Sequence, residues 1–521
     1  MNHPFPRNEP AARLRWATAK IEFQKGILIV AKPNTVTRIG PCMSQEHVEQ
    51  RGMFINGEYH HSEDTFSVDD PSTGEPIASV TDAGKTGVDA ALDTAESAQA
   101  EWAAMDPVER GRILRDVARG LESHVDELAE LATQEIGRPI GQSKGLVANA
   151  VDYVDYYAGM TDKIEGETFP LTPSNQAFSR KEPVGISAQI VPWNAPVLLC
   201  FRGVAPALAA GNAVVVKPSP FAPGIILKLA EIASGAGLPD GLFNVVPGLV
   251  ETSKALTTDS RVDQITFTGS VSTGQIVGKT AVDRVIPTVL ELGGKSPAVV
   301  FDDADLDAAL DGAMKAITLV NGQVCFATTR IFVHEDVYDE FKDRYVDAVE
   351  SITLGPGSEN PDLGPVISAD AVQEIDDYVQ RAIEDGASAL TGGKPADREG
   401  NFYEPTIIEG AADDAPISCE EVFGPVINLY SFSDEAEAIR RANNTDFGLY
   451  ATVWTNTLDR AHRVANGIEA GSVMVNQYAG SRPQTPFGGY KKSGLGREKG
   501  MQAVDHYTQQ KTINIDIAGD E

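Results

Sequence analysis

Gly185-Ile186-Ser187-Ala188-Gln189-Ile190-Val191-Pro192-Trp193-Asn194 is a short apolar run that opens on glycine and closes on Pro-Trp-Asn. A run of that length between breakers reads as a buried strand. Ala213-Val214-Val215-Val216-Lys217 repeats the pattern, and Ala222–Ala236 reads as the helix after it. Strand Phe243–Val246, a short helix, strand Gln264–Phe267, a helix from Ser272 and the strand-like run Val285, Ile286, Val289, Leu290 before Glu291 continue the series. Strands alternating with helices imply right-handed crossovers and a parallel, doubly wound α/β sheet. Ligands on such sheets sit beyond the carboxyl ends of the strands. Asn194, Lys217, Thr268-Gly269-Ser270 and Glu291 all fall at such ends.

Toward the N-terminus, Phe54–Glu58 and Phe66–Val68 read as short strands around turns, and helical periodicity runs through Val88–Trp102, Pro107–Ser123 and Val125–Glu135. Residues 163–183 suit an extended arm. After Glu291 a second α/β unit is expected: strands Ala298–Phe301, Arg330–Val333, Pro425–Tyr430, Leu449–Trp454 and Ser472–Asn476, with helices Leu306–Leu319, Val337–Ile352 and Ala369–Asp385. Further strands are expected near Ser388 and Thr406. The tail Asp505–Ile517 reads as extended and needs a sheet edge to pair with.

At 521 residues the chain exceeds one ordinary core, so about two or three domains are expected. The 75 Asp+Glu against 43 Lys+Arg give a formal charge of −32. Such a surface repels nucleic acid and anionic membranes, and neither is expected as a partner. The same acidity resembles that of proteins adapted to concentrated salt, although an acidic enzyme from ordinary surroundings carries the same signal. No apolar run is long enough to span a bilayer. Residues 1–42 are basic where the rest is acidic, with Arg7, Arg13, Arg15, Lys20, Lys25, Lys32 and Arg38 against Glu9 and Glu22. They read as a disordered or spurious extension. Four cysteines (Cys42, Cys200, Cys325, Cys419) form no CxxC pair, so neither a disulfide framework nor a metal site is expected, and a reducing cytoplasm fits. Cys200 and Cys419 read as buried, inert thiols.

Glu291-Leu292-Gly293-Gly294-Lys295 and Gly322-Gln323-Val324-Cys325 set an acid and a thiol far enough apart for a helix and strand to bring them together. A carboxylate and a thiol facing one cavity make a candidate base and nucleophile. The endings Gly278-Lys279-Thr280 and Gly294-Lys295-Ser296 look like phosphate loops, but Thr273 and Val289 stand where the leading glycine belongs.

Seven stretches together carry a resemblance: Pro192-Trp193-Asn194, Lys217-Pro218-Ser219, Phe267-Thr268-Gly269-Ser270, Glu291–Lys295, Gly322–Cys325, Glu421-Val422-Phe423-Gly424-Pro425 and Pro486-Phe487-Gly488-Gly489-Tyr490-Lys491. In this order and spacing the chain resembles the NAD(P)-dependent aldehyde dehydrogenase superfamily over residues 53–517. The resemblance implies a Rossmann-type dinucleotide-binding domain (46–162 and 184–290) and a second α/β catalytic domain (291–484). It also implies bridging or oligomerisation segments at 163–183 and 485–521, hence a homodimer or homotetramer, with 1–45 as the extension.

The same resemblance implies roles for single residues. Cys325 attacks an aldehyde, Asn194 and the Cys325 amide hold the oxyanion, and Glu291 activates water on the thioester. NAD or NADP is held by Trp193, Lys217, Ser219, Gly269, Ser270, Gly274, Glu421 and Phe423. The family's acid three residues after the lysine is here Pro220, which leaves both cofactors possible. Arg202, Val324, Phe326, Tyr478 and Phe487 line the substrate side, with Arg202 either gripping a semialdehyde's carboxylate or paired with one of the chain's own acids. A moderately large or aromatic aldehyde fits the remaining wall. A redox-independent cysteine hydrolase or acyltransferase on the same scaffold is the alternative, and it leaves the nucleotide-binding series idle.

Overall fold

The computed structural model describes Val48–Asp516 except Pro173, Gly480 and Ser481. The expected extension at 1–45 and Cys42 lie outside these residues. Two large sheets organise the chain. In the first, the order is Gly494–Leu495, Thr288–Glu291, Gln264–Thr268, Ile186–Val191, Ala213–Pro218, Phe243–Val245, Met53–Ile55 and Glu58–His60. Its middle, from Thr288–Glu291 to Phe243–Val245, is parallel, and both flanks are closed by antiparallel partners. Ala213–Pro218 is buried at every position, as an apolar run covered on both faces must be. The second sheet runs Ser388–Thr391, Thr406–Glu409, Val426–Phe432, Arg330–His334, Pro297–Val300, Tyr450–Trp454 and Ser472–Val475. All its neighbours are parallel except the first pair.

Helix boundaries follow local chemistry. Asp106 caps Pro107–Ser123 by accepting the Val108 N–H, with proline at the first turn. Val125–Ile136 stops where Gly137 turns left-handed, φ 69°. Several helices went unread in the sequence, Glu435–Asn443 and Leu458–Gly467 among them, and for two others the reason is plain. Ile140–Ala158 buries Ser143, Val147, Ala150, Tyr153, Val154 and Tyr157 on one face, but glycines and polar residues dilute its pattern. Pro196–Ala209 is almost wholly buried and carries Pro206 inside, so it has no polar face for periodicity to reveal.

Three expectations need correction. Val285 and Ile286 do not belong to the strand before Glu291: Val285 is the left-handed cap of helix Val271–Arg284 and is 91% exposed, and the strand begins at Thr288. The tail is not extended throughout, because Met501–His506 forms a 3-10 turn before strand Thr508–Asp516. That strand finds its edge on Asn175–Pro183, antiparallel along its whole length, and Thr168–Phe169 completes a three-stranded sheet. Part of the segment 485–521 belongs to the first sheet instead, since Gly494 and Leu495 pair with Glu291 and Leu290.

No helix is long and apolar enough to cross a membrane, and no group of three or more His, Cys, Asp or Glu side chains could hold a metal ion among the described residues.

One buried carboxylate fastens the helical layer to the first sheet's crossover. Glu135 accepts the amides of Gly224 and Ile225 at 2.8 and 3.1 Å, at the start of helix Pro223–Gly235, and meets Arg51 Nη1 at 2.6 Å. Burial pushes its acid up to about 7, against the pull of Arg51 and the two amides. Glu135→Ala strips a helix N-terminus and breaks a buried ion pair, which costs about 3 kcal/mol. Urea unfolding is expected to show a clearly lower midpoint, and an unchanged midpoint would dismiss this anchor.

Candidate active site

The thiol is carried on a strained turn. Val320, Asn321 and Gly322 follow one another at φ 51°, 56° and 73°, a left-handed run that a β-branched valine adopts only under constraint. The constraint comes from three sides. Gln142 Oε1 accepts the Val320 N–H at 2.9 Å. Asn321 Nδ2 donates to Pro365 O at 2.8 Å, while its Oδ1 accepts the Gly364 N–H at 2.7 Å. Gln323 Oε1 accepts the Ile367 N–H at 3.0 Å. Gly322 has no room for a side chain, since a Cβ would lie 2.6 Å from the Gly424 backbone.

The first sheet reaches this turn through Asn194, which follows strand Ile186–Val191. Asn194 Nδ2 donates to Gln323 O at 2.9 Å, and Arg138, itself buried, donates Nη1 to Asn194 O at 3.1 Å. An amide nitrogen has two hydrogens, so one remains after that bond. Cys325 is half-buried, and burial pushes its thiol up to about 12, with Glu421, Glu291 and Glu498 adding to the rise and Arg202 opposing it.

Glu291 ends strand Thr288–Glu291 with its carboxylate buried, and neither oxygen has a hydrogen-bond partner among the described residues. Burial first and Glu498 second raise its acid well above the ordinary carboxylate range, while Arg202, Arg497 and Lys499 pull it down. Gly488 gives it space: a Cβ there would meet Oε1 at 2.8 Å. The glycines after the acid serve close approach and have no left-handed angles. Gly293 leaves room for Glu421, whose Oε2 would be 2.2 Å from a Cβ, and Gly294 leaves room for Cys325 O at 2.3 Å. Gly294 also donates its N–H to Glu421 Oε1 at 3.1 Å. Burial raises Glu421 to about 7 against that amide and Lys295.

A second face lies along the strand ends. Lys217 is 5% exposed, and its ammonium makes no hydrogen bond to a described residue; burial lowers it to about 8, with Asp82 pulling the other way. Ser219 Oγ is turned back to accept the Phe221 N–H at 3.3 Å. Gly269 donates its N–H to Glu291 O at 3.0 Å. Ser270 caps helix Val271–Arg284 by accepting from Thr273 N, and a Cβ on Gly274 would run into Leu292 at 2.4 Å. The first turn of that helix is therefore held close to the strand with its exposed amide end outward. Trp193 meets Phe423 edge-on at 5.7 Å.

On the remaining side, Phe326 gathers Tyr450, Tyr478 and Phe487 at ring separations of 5.4, 6.0 and 6.5 Å. Val324 packs with Val320 and Ala327. Arg202 is paired with Glu498 at 2.6 Å and lies 4.4 Å over the Phe487 ring, so of its two expected roles the structure has the pairing with an acid. Cys200 is fully buried as expected, but Cys419 is half-buried and donates to Asp413 O at 3.2 Å. Sequence reading missed Glu498, Lys499, Arg138, Gln142 and Tyr450, none of which sits in a pattern that marks it, and it gave no role to Lys295, which is buried although it ends the Glu291–Lys295 stretch.

The model of the aldehyde dehydrogenase family matches residues 59–513. The chain belongs to that family. It is 38% identical over 472 residues to DhaS of Bacillus subtilis (strain 168), itself provisionally named an aldehyde dehydrogenase, covering 89% of this chain and 95% of that protein. An aldehyde dehydrogenase from Bacillus cereus, solved as an NAD+ complex, superposes with a TM-score of 0.89 at 37% identity, covering 90% of this chain and 97% of that one. An NADP-dependent enzyme of E. coli gives 0.88 at 36%, covering 90% and 98%.

Within this aldehyde dehydrogenase the thiol turn tolerates no side chain at position 322. Gly322→Ala combines a left-handed alanine with a backbone overlap and should cost at least about 2 kcal/mol, with activity lost. Thermal unfolding and initial rates check it, and a wild-type midpoint with a wild-type rate would dismiss the constraint.

Proposed function

We propose that Cys325, Asn194 and Glu291 carry the oxidation of an aldehyde to its carboxylic acid, with NAD+ or NADP+ held along the strand ends from Trp193 to Ser270. The observation that supports this most is a buried carboxylate with both oxygens unpartnered, whose charge is felt by a thiol on a braced turn. Such a group is expensive to keep in a fold and suits one that takes up a proton.

The residues fit a dinucleotide. Lys217 is a buried cation with its donors unspent, which suits ribose hydroxyls. The amide end of helix Val271–Arg284, behind Gly269 and Ser270, suits pyrophosphate. Glu421 is placed at the Gly293-Gly294 turn beside the thiol loop, where a ribose carried next to the reacting ring would reach it, and Phe423 and Trp193 supply an aromatic border. Bound there, a nicotinamide supplies the hydride acceptor.

As the thiolate, Cys325 adds its sulfur to the carbonyl carbon: the C–S bond forms as the C=O π bond breaks and its electron pair moves onto oxygen, giving an oxyanion. The spare N–H of Asn194 and the Cys325 backbone N–H hold that oxygen. Once the C–H hydrogen has left as hydride, the oxygen re-forms its double bond and a thioester remains on Cys325. Glu291 then takes a proton from water, the water oxygen attacks the thioester carbon, and the C–S bond breaks to release the acid. The elevated acid of Glu291 sets the sign of the pH dependence: the base works ionised, so turnover falls as pH drops through a limb above the usual carboxylate range. A thioesterase alone would use the same sulfur but leave Lys217 and the helix end without work.

Arg202 is committed to Glu498, and the wall of Phe326, Tyr450, Tyr478 and Phe487 is aromatic. A neutral, moderately large or aromatic aldehyde therefore fits better than a semialdehyde. A homodimer or homotetramer formed through 163–183 and the tail strand is the assembly that fits those segments.

Cys325→Ala should abolish turnover while reduced cofactor still binds. Glu291→Gln should give one burst of reduced cofactor and then stall at the thioester; a normal steady rate would remove Glu291 as the base. Because Pro220 supplies no carboxylate, both NAD+ and NADP+ should be reduced, and Pro220→Glu should raise the NAD+ preference in kcat/KM by about tenfold, about 1.4 kcal/mol. No change in that ratio would place discrimination elsewhere.

A further inference from the structure

Arg202 and Glu498 form an ion pair buried on both sides, with side chains 7% and 3% exposed and Nη2 2.6 Å from Oε2. Hydrogen bonding serves it poorly: Arg202 Nε and Nη2 and Glu498 Oε2 have no hydrogen-bond partner among the described residues, so the contact is one of charge. Phe487 covers the guanidinium at 4.4 Å and is tied to Glu498 by two backbone hydrogen bonds of 2.7 and 2.8 Å. Ring, acid and guanidinium are thus one unit. The residue after that ring, Gly488, stands against Glu291 Oε1. A buried pair with incomplete hydrogen bonding adds little stability, so its effect is better sought in the neighbouring carboxylate.

We propose that Arg202 is a positioning residue for thioester hydrolysis: its positive charge fixes Glu498 beside Phe487 and offsets that acid's charge at Glu291, which keeps Glu291 available as a base. This rests on Glu291 being the base. The groups facing Glu291 are Glu498, Arg202, Arg497 and Lys499, and Cys325 senses it. Those facing Glu498 are Arg202 and Lys499, with Tyr153, Tyr157 and Tyr507 sensing it. Lys499 is pushed down to about 7 by burial and by Arg202, so it is only partly charged near neutrality. Glu498 instead holds Arg202 above the ordinary guanidinium range despite burial, which keeps a charged guanidinium against that acid.

The test is the pH profile of steady-state turnover on a neutral aromatic aldehyde, benzaldehyde, with saturating cofactor. Removing the cation leaves Glu498 uncompensated, so Arg202→Met should move the acidic limb of kcat upward by about one pH unit or more. Glu498→Gln should move it downward. The double variant Arg202→Met/Glu498→Gln, which removes both charges of the pair together, should return it to within about half a unit of wild type, and Arg202→Lys should reverse part of the shift seen in Arg202→Met. If Arg202→Met fails to fold, the Glu498→Gln shift and the double variant decide. A limb unmoved in every folded variant overturns the proposal. So does a loss confined to KM for carboxylate-bearing aldehydes, which would make Arg202 a substrate grip. Glu291→Gln separates the two levels: if the limb survives it, Glu291 is not the base; if it disappears there yet ignores Arg202 and Glu498, only the role of Arg202 fails.

Discussion

The hydrogen bond from Asn194 Nδ2 to Gln323 O joins the first sheet to the loop that carries the thiol. Without it the two halves of the site would belong to separate layers with no shared register. Asn194 is itself pinned through Arg138, and the loop is pinned through Gln142, Asn321 and Gln323. The backbone that leads to Cys325 is held by these bonds. The turn is strained, and the surrounding hydrogen bonds hold the strain in place.

Desolvation is the second constraint. Glu291, Glu498, Arg202, Lys217, Lys295, Arg138 and Arg330 are all buried. A chain with so acidic a composition therefore keeps inside a mixed set of charges in which cations outnumber acids. Each interior charge is shifted toward its neutral form unless a partner opposes the shift. The acids Glu291 and Glu421 rise while the lysines Lys217 and Lys295 fall, which brings the proton affinities of interior acids and bases toward one another.

Much of this was legible in residues alone. The strand Ala213–Pro218 was legible because a strand covered on both faces must be apolar throughout, and the helix Pro107–Ser123 because Leu114, Val117, Ala118 and Leu121 recur at helical period on its buried face. Helix Pro196–Ala209 was hidden by the same rule, since burial all round erases amphipathic period. Val285 was misplaced because an apolar residue on an exposed helix cap looks, in sequence, like the first residue of the next strand.

The sequence by itself determined the alternation of strands and helices and the glycines at tight approaches, and it put a thiol, an amide and an acid forward as candidates. These depend on local rules: side-chain period, turn geometry and the reactivity of single groups. Only the tertiary structure decided that Arg202 faces Glu498, that Phe487 lies on that guanidinium, and that Gly488 opens the space for Glu291. Arg202 and Glu498 are distant in the chain and carry no shared local pattern, so the burial that couples their charges exists only once the chain is folded.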